Sequence, residues 1–125
     1  MRPTIQSAAW ILIAATGFVL AVGCGRNAAS RPAVEQLQNS FEKAAAPVKQ
    51  EVVQATAAFQ AGNYTQAILM MDRVVRSQPV DAAQKQAVDA LIVQTRQAVH
   101  QDPKRDSPQL YKAMADLTLR LHGEN

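Results

Sequence analysis

From residue 33 to residue 121 the apolar positions recur every three or four residues, and alternating apolar–polar runs are missing. That spacing predicts helices and argues against a sheet. Val34, Leu37, Phe41 and Ala44 or Ala45 share one face of a first helix. Pro47 ends that run and suits the first turn of a second. Val48, Val52, Ala55 and Phe59 form its stripe, with Lys49, Gln50, Glu51, Gln54 and Gln60 mostly opposite. Ala61-Gly62-Asn63 reads as a turn, since Gly62 and Asn63 both tolerate positive φ. Tyr64, Ala67, Ile68, Met71, Val74 and Val75 make the third stripe, which stops before Pro79.

Asp81 is placed to cap a fourth helix carrying Ala87, Val88, Leu91, Ile92, Thr95, Ala98 and Val99. Asp102-Pro103 breaks it. Ser107-Pro108 supplies an N-cap and first position for a fifth, in which Leu110, Met114, Leu117 and Leu121 repeat before Gly123. The pattern predicts an all-α fold: a small antiparallel bundle of about five helices over residues 33–125, with short links joining neighbours. No such helix is stable alone in water, so packing of the stripes must hold them.

The first 23 residues follow a different pattern. Arg2 supplies one positive charge, residues 8–23 carry none, and small residues Ala21 and Gly23 precede the only cysteine, Cys24. A basic start, an apolar middle and a small-residue exit describe a secretory signal peptide over residues 1–23. Residues 24–32 are small, polar and broken by Pro32, and read as a tether. One cysteine cannot form an internal disulfide, nor a thiolate metal site by itself.

Ala21-Val22-Gly23-Cys24 resembles the lipobox of bacterial lipoproteins. The resemblance implies cleavage after Gly23 and acylation of Cys24 with palmitate-type chains, so that the sulfur moors the chain to a bilayer. Two or more chains anchor stably, at about 0.8 kcal/mol per buried CH₂. Leu is the family's commonest residue where Ala21 stands, and Gly25 is not the Asp that retains such proteins at an inner membrane. The expected address is the cell envelope, on the outer membrane where there is one, facing the periplasm. Three other readings stand beside it: an uncleaved anchor helix, opposed by Arg26 and Arg31 on its far side; an ordinary signal leaving a free thiol; and a buried core helix.

Residues 48–79 resemble a single tetratricopeptide-repeat (TPR) hairpin. Gly62, Tyr64 and Ala67 match the family's turn, Met71 its large apolar position and Pro79 its closing proline, while Val74 stands where a small residue is usual. The first helix departs from the pattern, with Glu51, Gln54 and Ala55 at its usual Trp and Leu-Gly positions, and no second full repeat follows. The resemblance implies a partner-binding face of Val52, Thr56, Phe59 and Gln60. Val52 and Thr56 occupy the places of a carboxylate-clamping Lys and Asn, which argues against that clamp. The competing expectation is that Val52 and Phe59 pack against the first helix.

Composition narrows the function further. Aromatics make up 5% of the chain and hydrophobic residues 48%, so the core is thin and rich in Ala, Val and Leu. The net charge of +3 is dispersed, and Lys104-Arg105 is flanked by Asp102 and Asp106, which excludes a nucleic-acid footprint. His100 and His122 fall near separate helix ends, where the dipole suits them. Asp72 and Asp89 fall on polar faces and read as solvated. Met70 sits at the margin of its stripe and Met71 on it, which favours packing over a soft metal. Neither a nucleophile–base pair nor a phosphate loop is visible, and no cofactor or metal is expected. The expectation is a non-enzymatic interaction or scaffold module, lipid-anchored through Cys24, with an unidentified protein partner. The alternative is a self-associating structural envelope protein, secreted or held by an uncleaved anchor, in which homo-oligomer contacts support a marginal core.

Overall fold

The computed structural model describes residues 32–123, and they form an all-α bundle. Its helices are α1 (Ala33–Ser40), α2 (Ala46–Gln60), α3 (Tyr64–Ser77), α4 (Ala82–Gln101) and α5 (Pro108–His122), with a 3₁₀ turn at Pro103–Arg105. The expected signal peptide, lipobox-like Cys24 and tether, up to residue 31, lie outside the described residues.

Three boundaries have a visible local cause. Asp81 and Gln84 form a reciprocal capping box at the start of α4: Asp81 Oδ1 accepts from the Gln84 N–H at 2.8 Å, and Gln84 Oε1 from the Asp81 N–H at 3.0 Å. Such caps contribute about 1 kcal/mol. Ser107 Oγ accepts the Leu110 N–H at 3.1 Å ahead of Pro108 in α5. Between α2 and α3 only Gly62 takes positive φ, at 81°; Asn63 stays at −86°. One left-handed residue is enough for the reversal, so Asn63 keeps a negative φ.

α2 and α3 pack as an antiparallel hairpin, with Arg73 and Glu51 paired across it at 2.8 Å. α5 packs along α3, with the C-terminal ends of both helices at the same end of the bundle. α4 departs from the expected neighbour-to-neighbour order. It packs chiefly on α1, and only lightly on α3 and α5. The clasp is polar at both ends of α1: the Ala33 N–H donates to Gln94 Oε1 at 3.1 Å, and Gln84 Nε2 donates to the Ser40 carbonyl at 3.2 Å. Those two contacts also set α1 antiparallel to α4.

One core joins all five helices: Leu37, Phe41, Ile68, Met71, Leu91, Leu110, Met114 and Leu117 are among its fully buried side chains. In α1 the stripe is Ala33, Leu37 and Phe41, with Val34 only half-buried. Four-residue steps suit so short a helix, and they bring Ala33 down onto α4 where the smaller side chain allows close approach. Met70, expected at the margin, is buried as well.

Candidate functional site

The partner-binding face expected on α2 is not open. Val52 and Thr56 are each 2% exposed, Phe59 is half-buried, and only Gln60 is exposed. Val52 belongs to the core and borders the same small crevice as Phe41. Thr56 satisfies its hydroxyl on the Val53 carbonyl at 2.8 Å. Phe59 meets the Tyr64 ring at 5.3 Å between centroids, tilted by 51°. Arg105 completes that corner, donating to the Gly62 carbonyl at 2.9 Å with its guanidinium 5.9 Å from the Tyr64 ring centre. The face is consumed by α1 and by the hairpin's own turn, because a five-helix domain has few other places to bury its apolar stripes.

A second correction concerns Asp72. Far from being solvated, it is 7% exposed, near the C-terminal half of α3. Its two carboxylate oxygens are divided between two arginines: Oδ1 accepts from Arg120 Nε at 2.8 Å, and Oδ2 from Arg76 Nη2 at 2.6 Å. Arg76 follows Asp72 by one helical turn, while Arg120 arrives from the last turn of α5. A buried carboxylate needs such partners, and nothing local announces the second one. Asp89, half-buried, meets His122 Nε2 at 2.9 and 3.0 Å. A carboxylate only accepts, so the proton of that hydrogen bond lies on Nε2. His100 is exposed near the end of α4.

The arginines face a cleft of about 630 Å³ at one end of the bundle. Its walls are the end of α3, the link from Gln78 to Val80, Lys85 of α4, and Arg120 and Leu121 of α5. Close by, Lys112 Nζ lies 2.7 Å from Asp116 Oδ2 one turn away. That hydrogen bond, with Arg120 and Arg76 in range, holds the Asp116 carboxyl below its ordinary value. Whatever the pair contributes is therefore present above the usual carboxylate range and is lost as pH falls through the lowered value. In Lys112→Gln the Asp116 titration followed by NMR should move up; an unmoved curve would show that Lys112 is not the cause.

Among the described residues no group of three or more His, Cys, Asp or Glu is placed to hold a metal ion. No helix among them is long and apolar enough to cross a membrane. No family model matches the chain, and comparison with curated proteins and with solved structures gives no match.

Proposed function

We propose that this chain is a bacterial lipoprotein whose helical domain acts as a protein-interaction or scaffold module of the cell envelope. The carrying observation is the sequence Ala21-Val22-Gly23-Cys24 at the exit of an uncharged apolar run, followed by a polar tether and a folded bundle. The order fits a lipid-anchored domain: address, attachment point, spacer, body. The TPR resemblance draws support from the α2–α3 hairpin, where Gly62 reverses the chain, Ala67 is fully buried, and the Tyr64 ring packs at a tilt against Phe59 near the turn.

The experiment is metabolic labelling with a fatty acid, combined with fractionation of Cys24→Ser. Wild type should take up label and sediment with membranes; the variant should lose both. Unlabelled wild-type protein would reject the anchor. Crosslinking from membranes then identifies the partner.

Self-association is the second reading, and one feature favours it. Val53, Leu69, Val93, Tyr111 and Leu119 are each half exposed or more on the described surface. Light scattering of the detergent-solubilised protein should then report a dimer or larger at micromolar concentration. A monomer removes this reading.

A further inference from the structure

The cleft at the shared end of α3 and α5 contains Arg76, Lys85 and Arg120 among its lining residues, and no carboxylate. We propose that it is the docking site for an acidic peptide segment of a protein partner. A carboxylate of the segment meets Arg76 and Lys85, while an adjoining aliphatic side chain rests on Val75, Pro79 and Val80. This rests on the interaction-module reading and supplies the partner's chemistry.

The charge balance carries the argument. Asp72 stands behind the two arginines and engages one nitrogen of each. Their remaining guanidinium N–H groups have no protein partner among the described residues, and neither has the Lys85 ammonium. Asp116, the other acid in range of Arg76 and Arg120, is matched by Lys112. The carbonyl ends of α3 and α5 bring partial negative charge to this end of the bundle, which Arg76 and Arg120, each in a last turn, offset. Asp81 lies one turn before Lys85 but its carboxylate is engaged by the Gln84 N–H, and Lys85 forms no ion pair among the described residues.

Geometry adds preorganisation. The buried carboxylate holds Arg120 and orients the more exposed Arg76, so Arg120 in particular has outward donors already aimed when an anion arrives. The arginines suit a planar carboxylate, since a guanidinium presents paired donors.

The apolar part of the wall selects among anions. Val75, Pro79 and Val80 sit beside the cations, over Leu121 of the core. A free inorganic anion uses none of that surface. A peptide with an acidic residue next to an aliphatic one uses both. Affinity should be micromolar rather than nanomolar, because the cations are partly solvated and screened.

The test uses the full chain in neutral detergent micelles and a fluorescein-labelled peptide of alternating Glu and Leu, read by anisotropy. The Glu peptide should bind, a Gln-for-Glu peptide about tenfold more weakly, and added salt should weaken the Glu complex. Lys85→Gln should weaken it severalfold. Lys85 has no partner among the described residues, so this variant keeps the test open if Arg76→Gln unfolds. Equal binding of the two peptides, or no effect of Lys85→Gln, overturns the proposal. So does displacement of the peptide by an equal concentration of inorganic phosphate. Binding to phosphatidylglycerol vesicles without binding to the peptide overturns it in favour of a lipid headgroup. Successful lipid labelling with a failed peptide titration leaves the interaction-module reading intact and removes this one. Peptide binding by a chain that takes up no lipid does the reverse, removing the anchor alone.

Discussion

Phe41→Ala should destabilise the bundle by about 4 kcal/mol, within the range for deleting a buried aromatic side chain. Phe41 is the largest of the fully buried side chains, 1% exposed, and caps the C-terminal end of α1. α1 has only eight residues and no side-chain cap at its start, so it has little intrinsic stability to fall back on. What holds it is Leu37 and Phe41 in the core, plus the glutamine clasp at its two ends. Losing the ring empties the space beside Val52 on α2 and loosens α1 from α4 as well. For a domain of this size the midpoint temperature should fall by roughly 15 °C or more. Hydrogen exchange should show α1 losing protection before α2 and α3. A loss under about 1 kcal/mol, or uniform deprotection, would show that α1 is not held through Phe41.

Asp72→Ala is the second large effect, at roughly 2 kcal/mol. Removing one partner of a fully buried ion pair costs about 3–5 kcal/mol, since the other charge is left in a poor solvent. Here the figure is discounted, because the Arg120 side chain is 33% exposed and that of Arg76 is 57% exposed. A double-mutant cycle should divide the loss unequally. Coupling of Asp72 to Arg120 should exceed about 1 kcal/mol, while coupling to Arg76 should be near the few tenths usual for exposed pairs one turn apart. Chemical denaturation supplies the numbers. An Asp72→Ala chain within about 0.5 kcal/mol of wild type would mean that solvent already satisfies the arginines.

These two residues also show how far the chain could be read from its letters alone. Phe41 was legible: a large apolar residue at helical spacing from Leu37 belongs in a core. The helix ends were legible too, because Asp81 with Gln84, Ser107 with Pro108, and Gly62 act within a few residues of themselves. Asp72 was not. Its turn-mate Arg76 is visible on a helical wheel, but Arg120 is 48 residues away and reaches it only because α5 lies along α3. The pairing of α4 with α1 was hidden for the same reason. Short links favour sequential neighbours, and only the whole set of apolar faces decides otherwise. Val52 and Thr56 were assigned to an outer face by a resemblance that presumes further repeats; in a chain with one hairpin, α1 takes that space.

Were the chain moored through Cys24 as proposed, the clasp between α1 and α4 would have a mechanical consequence. Any pull transmitted through the spacer enters the folded body at Ala33, whose N–H is held by Gln94, and runs down α1 toward Ser40, held by Gln84. Because α1 lies alongside α4, a load directed along the α1 axis would slide one helix past the other, straining both attachments together instead of peeling them one at a time. Shear of this kind yields at higher force than peeling, so the shortest helix would serve as the strain relief of the anchor.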